Sequence, residues 1–292
     1  MATALTALTA AASAGRDLAS AEAAVAAMAM ADGAIPDADK AAFLLALARK
    51  GETAGEVAGF ARTYRDLARQ VDFGDLAARG IDIVGTGGDR SGSFNISSAS
   101  ALIVAAAGVP VLKHGNRSIT SKSGSADFLA GLGVTLDATD DQLRRALTEA
   151  NFCYLYAPAF HPAFKAVLGV RKQLAEGGNK TIFNVLGPLI NPARPAHMVV
   201  GVYDERWVAP LAAALGERGG SPEENIAMFS DLLVGGVTDG LLDTLCLSAG
   251  TALWVAGRAA GPAAGAIRAR EIILGGELRA EVRRLREAYR AD

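Results

Sequence analysis

Apolar residues recur every three or four positions through residues 17–69, with no β-branched run to interrupt them, so this stretch reads as successive helices. Gly33 closes the first, and Pro36 suits the opening turn of the second, where the N–H that proline lacks would have no helical partner anyway. Gly51 closes the second. Thr53 and Glu56 then stand at capping-box spacing, the threonine accepting from a free N–H while the glutamate reaches back to the cap, which predicts a third helix. Upstream, the Ala/Thr-rich residues 1–15 read as a frayed, disordered arm, since they lack the charged start and leucine-rich core of a signal peptide.

From Ile81 the period changes. Short apolar runs alternate with longer helical ones, the mark of an α/β domain with a largely parallel sheet. Strands are predicted at residues 81–84, 109–112, 152–156, 182–185 and 199–203, and a helix at 95–107. A second capping box, Thr139 to Gln142, opens a helix that runs to about residue 150. Residues 222–290 return to helical spacing, and the charge-rich 279–290 reads as a solvated helix face. The expected fold class is α/β: a small N-terminal helical domain over 16–72, open to later helices, and a larger α/β domain over 73–292 whose mostly parallel central sheet is flanked by helices.

Composition narrows the function classes. A chain of 292 residues has the length of about two domains and buries a core without staples. Although 51% of residues are hydrophobic, much of that is alanine, and the longest strongly apolar run, 101–112, is broken by Gly108 and Pro110 and is too short to span a membrane. Cys153 and Cys246 read as reduced thiols of a cytoplasmic protein. His114, His161 and His197 lie too far apart to suggest a zinc site, and His161, before Pro162, reads as structural. The net charge of −2 and pI near 6.0 argue against a general nucleic-acid surface while leaving room for a local cationic pocket.

Such a pocket is written into residues 81–127. Gly85-Thr86-Gly87-Gly88-Asp89 follows a predicted strand, where glycine lets backbone N–H groups approach an anion. It matches neither the dinucleotide fingerprint nor a Walker A loop, and taken alone a plain tight turn explains it equally well. Asn95, Ile96, Ser97 and Ser98 add a helix N-terminus, which favours phosphate, although capping alone would also account for them. Lys113-His114-Gly115-Asn116-Arg117 follows another strand, and Ser118, Thr120, Ser121, Lys122, Ser123 and Ser125 supply further donors. Three phosphate-compatible elements in one segment point to a phosphorylated ligand at the C-terminal end of a sheet.

These residues resemble the anthranilate phosphoribosyltransferases. The motifs GTGGD, FNIS, KHGNR and SKSGSAD carry the resemblance in order and spacing, as do APAFHP from Ala157, Val170-Arg171, TIFNVLGP from Thr181 and GVYD from Gly201. The resemblance implies a helical domain joined to an α/β domain, an active site in the cleft between them, and a homodimer formed through the helical part. It also implies transfer of phosphoribose from phosphoribosyl pyrophosphate (PRPP) to the amine of anthranilate, with Mg²⁺ as cofactor. By position, PRPP would be held by Gly85, Gly88, Asp89, Ser93, Asn95, Ile96, Ser97, Ser98, Lys113, His114, Gly115, Asn116, Arg117, Ser118, Ile119, Thr120, Ser121 and Ser125. Gly85, Asn116 and Arg171 would face the aromatic acceptor, Lys113, Asn116 and Arg171 would serve catalysis, and Ser97 would be a metal ligand. A guanidinium suits the acceptor carboxylate, with a surface arginine on a helix as the lesser alternative reading of Arg171.

The match breaks once. After the helix at 205–218 the family places a strand ending in His-Gly and an Asp-Gly-Leu-Asp-Glu motif whose carboxylates bind magnesium; here Gly219-Gly220-Ser221-Pro222 resembles a later family segment. Asp239 to Asp243 can be aligned to the metal motif, but the residues around them fit the family's later Ala-rich helix better. Asp89, Asp127, Asp204, Glu223 and Glu224 are alternative carboxylates. The gap keeps two other readings open: a paralogue with another aromatic or nucleobase acceptor, and a non-catalytic ligand- or nucleic-acid-binding homologue.

Overall fold

The structure, a computed structural model, describes residues 2–85, 95–117, 124–201 and 239–290. In chain order, helices α1 (Ala2–Ser13), α2 (Ser20–Ala31), α3 (Asp37–Lys50), α4 (Ala54–Asp66) and the short α5 (Asp75–Ala78) lead to strand β1 (Ile81–Gly85). Helix α6 (Ile96–Ala106), β2 (Val111–Gly115), α7 (Ser125–Gly131), α8 (Asp140–Ala150) and β3 (Phe152–Tyr156) follow. Then come α9 (Ala157–Phe160), α10 (Leu168–Glu176), α11 (Phe183–Leu186) and β4 (His197–Gly201), and finally α12 (Asp239–Val255), α13 (Pro262–Leu274) and α14 (Glu277–Ala288). The chain divides into two compact units, one of Met1–Gln70 with Phe160–Pro192, the other of Val71–Ala159 with Ala193–Asp292.

In the helical unit α1 packs on α3, α2 on α4, and α10 on α3. The expected frayed arm is instead a helix, α1, whose Leu5, Leu8 and Ala12 line one buried face. The capping box forms as expected: Thr53 Oγ1 accepts from the Glu56 N–H at 3.3 Å and Glu56 Oε2 from the Thr53 N–H at 2.8 Å. Glu56 also accepts from the Leu18 N–H at 2.8 Å and pairs with Lys50 at 3.1 Å, so this fully buried carboxylate is well satisfied. Residues 182–185 are not the expected strand. Ile182, Phe183, Val185 and Leu186 are buried at helical spacing, and the Thr181 N–H donates to Asn184 Oδ1 at 2.8 Å, so packing overrides their β propensity in α11. The segment 160–192 thus belongs to the helical unit rather than to the α/β domain that its position in the chain suggested.

The other unit is built on a four-stranded sheet, order β3-β2-β1-β4, in which every pair is parallel. Strand β2 starts later than expected because Gly108 turns at φ +79° and Pro110, which has no N–H to give, contributes only its carbonyl, accepting from Ile81 at 2.9 Å. Strand β4 starts earlier than expected, at His197, and residues 202 and 203 lie outside the described ones. Helix α6 is buried on all sides from Ser97 to Ala105, because it packs on β1 and β2 while α12, α13 and α14 all pack on it. Helices α12 and α13 touch backbone to backbone: a Cβ built on Gly265 would lie 2.1 Å from the Gly250 carbonyl oxygen. At the β3 edge of the sheet, the Tyr154 N–H donates to the Tyr289 hydroxyl at 2.9 Å, so a residue beyond α14 occupies a donor that edge strands leave open.

Candidate active site

The strands end together. Gly85 stands in register with Gly201 on β4, and Gly115 with Tyr156 on β3. The strand order reverses at β1, and the carboxyl end of a sheet at such a point is where open α/β folds take ligands.

Gly85 closes β1, and residues 86–94 lie outside the described ones. Asn95 caps α6, its carbonyl accepting from the Ser98 and Ala99 N–H groups at 3.0 Å, with Ile96, Ser97 and Ser98 in the first turn. Ser97 and Ser98 are both buried there. At the end of β2, Lys113 is buried and its amine donates to the Ile83 carbonyl on β1. Burial pulls the lysine pKa below its ordinary value, and the neighbouring Asp82 carboxylate opposes that shift. Asp82 in turn accepts from the His114 backbone N–H at 3.3 Å.

Gly115 has no room for a side chain, because a Cβ there would lie 2.3 Å from Ser125 Oγ and 2.8 Å from the Tyr154 hydroxyl. The Asn116 carbonyl accepts from the Ala126 N–H at 3.3 Å, and its side-chain oxygen from the Arg117 N–H at 2.7 Å. Arg117 pairs with Asp127, whose other oxygen accepts from the Gly124 N–H at 3.0 Å. Gly88, Asp89, Ser93, Ser118, Ile119, Thr120 and Ser121 lie outside the described residues.

Arg171 belongs to the helical unit. It is half-buried on α10 rather than a solvated surface arginine, with its guanidinium over the rings of Phe164 at 5.3 Å and Phe183 at 5.1 Å. Both rings also pack on Tyr64, at 4.6 and 5.5 Å. Burial lowers the Arg171 pKa from its usual value and raises that of the fully buried Tyr64 hydroxyl. The buried Lys40 amine donates to the Ala166 carbonyl just before α10 begins, which ties the helix to α3.

His161 is structural, as expected. It is buried against Phe164 and hydrogen-bonded to the backbone of Tyr64 and Ile190, and burial brings its pKa down from 6.5 to about 4. A depressed histidine pKa means that the unfolded chain takes up the proton first. The contribution is therefore fully present above pH 6.5 and is lost as the pH falls from 6.5 toward 4, by up to about 3 kcal/mol. Urea midpoints across that window are expected to fall in the parent and to follow a flatter slope in His161→Asn; equal slopes would exclude this origin.

The described residues do not assemble a magnesium site. Among them no group of three His, Cys, Asp or Glu side chains could hold a metal. Asp127 is committed to Arg117 and Gly124, and Asp243 lies on α12 in an ion pair with Arg270. The hydroxyl of Ser97 alone does not make a Mg²⁺ site, and Asp89, Asp204, Glu223 and Glu224 lie outside the described residues.

Sequence reading missed the supports of this site. Tyr154 and Tyr156, two residues apart on β3, face the Gly115 end of β2, and that alternation was open to notice. The aromatic seat of Arg171 joins α4, α10, α11 and the turn at Phe164, and no local pattern announces it.

A helical bundle joined to a parallel α/β unit with a phosphate-compatible sheet edge defines a class, and comparison agrees: residues 6–68 match the helical bundle domain of a glycosyl transferase family and residues 77–218 its a/b domain. The chain belongs to the anthranilate phosphoribosyltransferase family. It is 40% identical over 326 positions to the anthranilate phosphoribosyltransferase of Natronomonas pharaonis, covering 94% of this chain and 96% of that one. The crystal structure of the Thermus thermophilus enzyme superposes with a TM-score of 0.87 at 35% identity, over 97% of this chain and 99% of that one. The Saccharomyces cerevisiae enzyme, solved in complex with PRPP and Mg, shares the fold at a TM-score of 0.75 and 23% identity, over 87% and 85% of the two chains. Other curated relatives, matched at 50% identity over 188 residues, are spanned over only 54% of their own length. The 326 aligned positions exceed the 292 residues of this chain, so it lacks residues that the Natronomonas protein has. The a/b match also stops at 218, where the motifs break.

Proposed function

We propose that this protein binds PRPP at the C-terminal edge of its sheet and transfers the phosphoribosyl group to the amine of anthranilate. The observation that carries the reading is the ending of the parallel, paired strands β1 and β2 in Gly85 and Gly115, in a chain of this family. The glycines, the α6 N-terminus and the residues from Lys113 to Arg117 would hold the phosphates, and Arg171, on its aromatic seat, the acceptor carboxylate. In the reaction the bond from ribose C1 to the pyrophosphate oxygen breaks, the anthranilate nitrogen bonds to C1, and the amine loses a proton. The developing charge is positive on ribose and negative on the leaving group, so the protein works by positioning and electrostatics and needs no side-chain nucleophile. Asn116 would orient the amine. We further propose a homodimer through the helical unit. No helix among the described residues is long and apolar enough to cross a membrane.

Magnesium, when bound to PRPP, would neutralise pyrophosphate charge. The break in the family match at residue 218 motivates a second reading, a homologue that binds PRPP without turning it over. Calorimetry separates the two. The enzyme reading expects PRPP affinity to rise with Mg²⁺ and product to form; Mg²⁺-independent binding without product supports the second, and absence of PRPP binding overturns both.

A further inference from the structure

We propose that Tyr154 and Tyr156 are positioning residues for the phosphate-binding edge, holding through Ser125 and Arg117 the backbone on either side of residues 118–123. The phosphate-binding role of that edge rests on the function proposed above; the hydrogen bonds stand independently of it.

The two tyrosines alternate on β3, so both side chains leave the same face of the strand, and in register they stand opposite Lys113 and Gly115 of β2. The Tyr154 hydroxyl lies 2.9 Å from Ser125 Oγ, which in turn reaches the Asn116 carbonyl at 3.4 Å. Tyr156 is hydrogen-bonded to the side chain of Arg117, which pairs with Asp127, and Asp127 accepts from the Gly124 N–H. One path therefore fixes Asn116 to Ser125, and the other fixes Arg117 to Gly124.

Filling space does not explain the first hydroxyl. Tyr154 is fully buried, and a buried phenol is costly unless its oxygen is satisfied, whereas phenylalanine would fill the same volume without that demand. The contact also depends on Gly115, since any Cβ there would displace both hydroxyls. Gly115, Ser125 and Tyr154 thus require one another. Strand β3, which carries both tyrosines, is held in turn, because the Tyr154 N–H is bonded to Tyr289.

The test uses the full chain and two substitutions that remove only a hydroxyl, Tyr154→Phe and Tyr156→Phe, with Ser125→Ala alone and combined with Tyr154→Phe. In Tyr154→Phe and Tyr156→Phe, loss of one hydrogen bond at a positioning residue is expected to raise the KM for PRPP about fivefold while the KM for anthranilate and the melting temperature hold. Amide exchange over residues 116–127 is expected to quicken about tenfold, with exchange in α1 to α4 unchanged. The double variant should exchange no faster than the faster single variant, because both changes break the same bond. Unchanged exchange over 116–127 overturns the proposal, and so does a fall in melting temperature with both KM values rising in step, which marks general loss of packing. Should the parent protein fail to bind PRPP, the functional reading falls, and the exchange measurement alone decides what the tyrosines hold.

Discussion

Replacing Arg171 with alanine is expected to raise the KM for anthranilate about a hundredfold while leaving that for PRPP within about twofold. A fork of two charge-assisted hydrogen bonds to a carboxylate contributes about 3 kcal/mol, and each 1.4 kcal/mol is a tenfold change in affinity. The size of the effect depends on how the arginine is held. Its guanidinium lies over Phe164 and Phe183, so it is already ordered before a ligand arrives and loses less freedom on binding. Arg171→Lys keeps the charge but neither the planar fork nor the ring stacking, and should recover only part of the affinity. Steady-state kinetics with each substrate varied in turn decides the matter: an equal rise in both KM values would reduce Arg171 to a structural seat.

The second large effect concerns stability. Gly265→Val is expected to destabilise the α/β unit by about 3 kcal/mol or more, visible as a fall in its thermal transition. The ideal Cβ at Gly265 would lie 2.1 Å from the Gly250 oxygen, and that at Gly250 would lie 2.2 Å from the Ala266 nitrogen. Both neighbours are backbone, which cannot rotate away, so helices α12 and α13 would have to separate. That separation would also disturb α6, on which both pack. Gly33→Ala is the control, since nothing lies within 4 Å of its Cβ position. A Gly265→Val transition matching the control would mean that the helices do not touch at this point.

What the sequence revealed was local. The capping boxes at Thr53 and Thr139 and the strands β1 and β3 are short-range patterns, and the structure contains them. Helix α1 escaped because alanine and threonine dilute its apolar stripe to Leu5, Leu8 and Ala12. Residues 182–185 misled because so short a β-branched and aromatic stretch, Ile182, Phe183 and Val185 around Asn184, does not distinguish a strand from a turn of buried helix. The return of 160–192 to the helical unit is a non-local fact that no window reveals. At the site the same division holds. Gly85, Asn95 and Lys113 to Arg117 were legible as strand ends and a helix start. Tyr154 and Ser125 meet across 29 positions, and the ring seat of Arg171 spans three segments, so only the fold brings those groups together.

Because the family match ends at residue 218, activity is the central claim. The direct test is to mix folded protein with PRPP and anthranilate, titrate Mg²⁺, and follow anthranilate fluorescence together with released pyrophosphate. The account predicts a fluorescence loss that requires PRPP and is matched mole for mole by pyrophosphate. Folded, PRPP-binding protein that leaves the fluorescence unchanged at every Mg²⁺ concentration would contradict it.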